Sequence, residues 1–182
     1  MADLEETLKQ LKSEDMNDRF TAWEAAGPLG ATAVKPLAAI SKQDNRTIGK
    51  AGKLALQNVV NYAGRPGAEA QAKAVAKELM EVASDHQNPR MVRTDALYFI
   101  GTIGGSAEIP GLIKLLEDRV VREDARQALE RIPGDESLAA LKSAAATVQA
   151  DFRKNIQQSL HNRALTRESV GIKDDSAAVS MR

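Results

Sequence analysis

The chain has 182 residues, with 25 basic and 25 acidic side chains for a formal net charge of +0, no cysteine and two histidines. That length is enough for one domain with its own core. A hydrophobic share of 43% excludes a wholly disordered chain, and an aromatic share of 3% leaves alanine to fill the interior, which suits packed helices better than a sheet.

Leu4, Leu8 and Leu11 fall at i, i+4 and i+7 and predict a first amphipathic helix. Ser13-Glu14-Asp15 offers N-cap oxygens to a second helix, Asn17 to Gly27, which Gly27-Pro28 stops. Val34, Leu37 and Ile40 mark the next apolar stripe, with Pro36 in its first turns. Gln43-Asp44-Asn45 then turns into a long helix, Arg46 to Tyr62, in which Gly52 reads as a close approach between helices. Ala63 to Gly67 is the strongest loop signal. A helix follows over Ala68 to Ala83, then a turn over Asp85 to Pro89, then a helix carrying Val92, Ala96, Ile100 and Ile103 and ended by Gly104-Gly105. Ile109, Leu112, Leu115 and Leu116 make another stripe, and Asp118 turns into a helix that ends at Pro133-Gly134. Leu138, Leu141 and Val148 mark one more helix, and Asp151-Phe152 opens a last one reaching Arg163. Residues 164–182 are polar and are expected to form a frayed or loosely docked tail beyond a single domain over 1–163.

One pattern recurs through these elements. Arg19, Arg93, Arg122 and Arg153 each stand three residues before a small or branched apolar residue (Ala22, Ala96, Ala125, Ile156) and seven before another (Ala26, Ile100, Leu129, Leu160). Gly49 holds the same slot before Gly52 and Leu56. The slots lie 30, 44, 29 and 31 residues apart, the long interval containing the 63–67 loop. A helical motif at a near-constant interval means stacked repeats, and stacked repeats present a continuous face.

Asp15–Arg19 and Asp118–Arg122 share a four-residue step, Val92 and Val121 directly precede their arginines, and proline sits in the first helix of two pairs. On these residues the chain resembles the HEAT repeat, in the short-period form found in phycobilin lyases and bacterial scaffolds, over about residues 2–163. The resemblance implies an all-α, right-handed α-solenoid of about five helical hairpins. It also implies that Asp15, Arg19, Arg93, Asp118, Arg122 and Arg153 form a structural hydrogen-bond ladder between repeats, and that the arginine-led helices line the concave side.

No residue set declares a reaction. His86 and His161 are far apart in sequence and lack a His-Glu-x-x-His helix, the Gly49–Lys53 stretch misses the phosphate-loop pattern, and adjacent carboxylates such as Glu123-Asp124 diverge on a helix. No cofactor or metal is expected. The acidic N-terminus lacks a signal-like apolar run and no segment is apolar enough to span a bilayer, so the expected compartment is the cytoplasm.

Aligning the slots ranks the surface positions. One step after the slot stand Phe20, Lys50, Thr94, Glu123 and Lys154; four steps after, Trp23, Lys53, Leu97, Arg126 and Gln157; five steps after, Glu24, Leu54, Tyr98, Gln127 and Gln158. Phe20, Trp23, Lys50, Lys53, Leu54, Tyr98 and Arg126 are the candidate partner-binding residues, since aromatics beside cations are common anchors. The expected function is a non-catalytic scaffold gripping a partner protein or peptide. The rivals are a lyase- or chaperone-type subunit handling a chromophore or small ligand, and a nucleic-acid binder using Lys50, Lys53, Arg90, Arg119 and Arg126. The even charge argues against the last.

Overall fold

Short polar side chains decide where the hairpins turn. Asp15 adopts an extended conformation and accepts from the Asn17 amide at 2.8 Å, capping the helix behind it. Asn45 does the same for the next long helix, accepting from Thr47 and Ile48. Each cap satisfies amides that the first helical turn leaves without a partner.

The computed structural model describes residues 3–169. Ten α-helices occur among them: α1 Leu4–Gln10, α2 Met16–Ala25, α3 Val34–Ser41, α4 Arg46–Ala63, α5 Glu69–Ser84, α6 Arg90–Ile103, α7 Ile109–Leu115, α8 Arg122–Arg131, α9 Asp135–Thr147 and α10 Ala150–Ser169. No strand occurs among the described residues. A 3₁₀ segment, Gly27–Ala33, joins α2 to α3, and Gly30 turns there at φ 67°, where a side chain would be strained. The last helix continues past Arg163 through Ser169. The rest of the expected tail, including Val170, Ile172 and Val179, lies outside the described residues.

Odd and even helices pair as hairpins, and the hairpins stack in chain order. α2, α4, α6, α8 and α10 neighbour one another in one layer, while α1, α3, α5, α7 and α9 do so in the other. The fold is therefore an α-solenoid of five hairpins, as the repeat pattern predicts. Its core runs unbroken between the layers from Leu11 to Ile156 through Leu37, Leu79, Leu97, Ile100, Leu112, Leu129 and Leu141. Ala22, Ala96 and Ala125 are buried where even helices meet their neighbours, and a methyl there lets the backbones approach.

Gly52 occupies the equivalent place in α4, and the approach is closer still. A Cβ added to it would stand 2.7 Å from Ile40 Cγ2 and 2.8 Å from the Ser41 backbone nitrogen. Alanine at an ordinary helical position would gain about 1 kcal/mol over glycine, but overpacking a core costs about 1–3 kcal/mol. Gly52→Ala should therefore lower the thermal midpoint, whereas Gly105→Ala, with nothing within 4 Å of the added carbon, should not. Equal midpoints for the two variants, followed by circular dichroism, would show that the α3–α4 approach is not a constraint.

Candidate functional site

The slot and the positions three, four and seven residues after it form one helical stripe, and the structure turns that stripe inward. Arg19 and Arg93 are buried, as are Ala22, Ala96 and Ala125 and then Ala26, Ile100 and Leu129. The position four after the slot belongs to the same face. Leu97 is fully buried, Trp23 is half-buried, and Arg126 is buried with 8% exposure. Arg126 is thus corrected from a candidate contact for a partner to an interior residue, because i+4 from a buried slot lies above it on the helix. Lys53 and Gln157 in the same row are exposed, and Leu54, one step after Lys53, is half-buried.

The expected ladder exists in part. Arg93 donates through Nη2 to Asp118 Oδ2 at 2.5 Å, crossing from the third hairpin to the fourth, while its Nε donates to the Ala83 carbonyl at 2.7 Å. Arg122 donates to Asp151 at 2.8 Å, crossing to the fifth. The other two arginines turn back on their own hairpins. Arg19 donates to the Ser13 and Glu14 carbonyls at 2.6 and 2.8 Å, and Asp15 spends its oxygen on the α2 cap. Arg153 reaches only the Val148 carbonyl, at 3.5 Å, since no further hairpin follows among the described residues. The ladder is therefore corrected to two crossings, and Asp15, Arg19 and Arg153 do not take part. At the second slot Gly49 removes the guanidinium altogether, and a Cβ there would already stand 3.1 Å from the Ser41 carbonyl oxygen.

A second set of crossings, absent from the sequence reading, runs one position over. Lys53 meets Asp95 at 2.6 Å, the Thr94 hydroxyl donates to Asp124 at 3.2 Å, and Asn155 donates to Glu123 at 3.0 Å. Asp95, Asp124 and Asn155 each stand two residues after their own slot, a row outside the three aligned in the sequence, while Glu123 stands one residue after its slot. Between α8 and α10 the crossings condense into a network. Arg126 bonds Glu123 at 2.5 Å and Glu130 at 2.6 Å and also donates to Ser159, while Asn162 and Ser159 donate to Glu130.

Burial opposes ionisation of Glu123, but hydrogen bonds from Arg126, Asn155 and Gln127 outweigh it and hold the carboxyl at about 2. Glu130 is held below its usual range against the same burial penalty, by Asn162, Ser159 and Arg126. Asp118 follows the same balance, with Arg93 and the Val120 amide as its donors. These groups tie successive hairpins of the repeat stack together. Among the described residues no group of histidines and carboxylates could hold a metal ion, and no helix is long and apolar enough to cross a membrane.

What stays on the outside of the even layer is distinctive. All six aromatic residues lie on even helices: Phe20 and Trp23 on α2, Tyr62 on α4, Tyr98 and Phe99 on α6, Phe152 on α10. Phe99 and Phe152 are core, but Phe20 is 52% exposed and stacks edge-on against Trp23 at 5.4 Å, and Tyr98 is 54% exposed under the Arg131 guanidinium. Tyr98 overlooks a groove of about 390 Å³ between α4, α6 and α8, lined also by Lys53, Gln57, Asp124 and Gln127. Of the cations expected to serve a nucleic-acid contact, Lys50 and Arg90 are exposed, Lys53 is bridged to Asp95, Arg119 donates to Gln149, and Arg126 is interior.

Arg93→Ala would strand Asp118 and the Ala83 carbonyl in a buried setting, and breaking such a pair costs about 3–5 kcal/mol. Arg122 and Asp151 are more open and screened by solvent, so Arg122→Ala should cost clearly less than Arg93→Ala. Urea unfolding of the two variants should show that order, and equal losses would refute the unequal ladder. Glu123 titrates near 2 folded and near 4.5 unfolded, so the unfolded chain takes up the proton first. Its contribution is complete above about 4.5 and is lost as pH falls toward 2. The thermal midpoint should drop across that window, and Glu123→Gln should flatten part of the drop; an unchanged slope would show that the network is not coupled to folding.

No family model and no curated protein matches the chain. It is similar to a designed armadillo repeat protein solved in complex with the peptide (KR)4, at 15% identity over 96% of this chain and 93% of that one, with a TM-score of 0.42. It is also similar to a computationally designed armadillo repeat protein for modular peptide recognition (16% identity, 87% and 99% covered, TM-score 0.33) and to an engineered protein (18% identity, 98% and 94% covered, TM-score 0.40). The two helix layers and the recurring slot of the chain itself make its fold an α-solenoid of helical repeats.

Proposed function

We propose that the chain is a non-catalytic interaction scaffold whose even-helix face holds an extended segment of a partner protein. The observation that carries this reading is where the large apolar groups sit. Among the described residues, Met16, Phe20, Tyr62, Met91, Tyr98 and Leu165 are exposed on even helices, and only Ile113 and Val120 are exposed elsewhere. Leaving such side chains in water forgoes burial worth about 1.5–3 kcal/mol each, and a surface that concentrates them on one layer is suited to a partner. Rigid aromatics lose little conformational freedom on binding, which makes Phe20 and Tyr98 suitable anchors. The grooves between successive even helices supply seats for side chains of the bound segment.

Phe20→Ala and Tyr98→Ala, measured by calorimetry against a partner identified by cross-linking, should each weaken binding at least tenfold. Neither residue is core, so the thermal midpoint should stay within a few degrees of the parent. Unchanged affinity in both variants would overturn the reading.

A further inference from the structure

The second groove on this face lies between the N-terminal halves of α4 and α6 and measures about 570 Å³. Its origin is the altered slot. Gly49 and Gly52 draw α4 down onto α3, and no guanidinium stands where Arg19 and Arg93 stand in the neighbouring hairpins. Across the gap, Lys53 reaches Asp95, the lining's single carboxylate. Arg46 and Lys50 also line it, and both are exposed and make no ion pair or side-chain hydrogen bond with any of the described residues. In a chain with equal numbers of acids and bases, α4 carries Arg46, Lys50 and Lys53 and no carboxylate at all. On the α6 side the groove is walled by Met91, 63% exposed.

Resting on the scaffold reading, we infer that this groove takes an acidic segment of the partner in extended conformation, with carboxylates at alternate positions. The spacing supports it. Residues i and i+4 of a helix are about 6 Å apart along its axis, and same-side residues of an extended strand are about 6.6–6.8 Å apart. Carboxylates at i and i+2 of the segment therefore meet Arg46 and Lys50 in register, through charge-assisted hydrogen bonds. The intervening side chain points the other way, toward Met91, and is apolar. The bound motif is acid–apolar–acid, lying along α4. Nucleic acid fits less well, because two unpaired cations neutralise too few phosphates for a stable complex with duplex DNA.

The test uses the full chain and a soluble ten-residue peptide with Glu-Leu-Glu-Leu-Glu at its centre, titrated by calorimetry at low salt. The peptide should bind, its glutamine counterpart at least tenfold more weakly, and raised salt should weaken the first alone. Arg46→Glu with Lys50→Glu should abolish binding with an unchanged thermal midpoint. Should that variant misfold, Arg46→Gln with Lys50→Gln should still lose about tenfold. Equal binding of the two peptides, no binding of either, or tighter binding of a 20-base-pair duplex through the same two cations would each overturn the inference. A cross-linked partner that depends on Phe20 and Tyr98 but ignores Arg46 and Lys50 would overturn this inference alone and leave the scaffold reading standing.

Discussion

Whether an arginine fills the recurring slot decides how closely each even helix sits on its hairpin partner and what it presents to its neighbour. Where the slot holds Arg93, the guanidinium is almost wholly enclosed, its side chain 3% exposed, and it ties the end of α5 to the turn before α8. A buried arginine is tolerable only with its donors satisfied, so the hairpins on either side must keep their register. Where the slot holds Gly49, that tie is missing and the backbone of α4 comes down to the carbonyls of α3 instead. One change in a repeating pattern thus alters the relief of the even-helix face beside it.

Much of the architecture was legible because it depends on periodicity. Leucine stripes, aspartate and asparagine turns and the near-constant slot interval encode the hairpins directly, and Gly52 showed itself as a close approach because helices seldom keep a glycine without a packing reason. The surface was harder. Position four after the slot was aligned as an outward row, yet i, i+3, i+4 and i+7 make one stripe and the slot itself is interior, so Leu97 and Arg126 were bound to go inside. Phe20 and Tyr98, one and five steps after the slot, are free of that stripe and remain outside.

The ladder was misread for a different reason. A local step from Asp15 to Arg19 looks like a pair, but an N-cap aspartate has its oxygen engaged by its own helix. Crossing partners are set by the next repeat, as with Arg93 and Asp118 or Thr94 and Asp124, and a single sequence does not say which turn comes alongside. The same holds for the α8–α10 network, where Arg126, Ser159 and Asn162 are brought together only by stacking. Long-range polar matching is what tertiary structure adds to periodicity.

The confinement of aromatic side chains to one layer also shapes what can be seen of the molecule in solution. Its single indole, Trp23, sits half-buried in the first even helix with the Asn58 amide on its carbonyl, far along the stack from α10. In an array where each unit touches only its neighbours, ends can fray while the middle persists. Emission from Trp23 is therefore a local gauge of the N-terminal end, and its agreement or disagreement with the far-ultraviolet signal measures how far cooperativity extends along the stack.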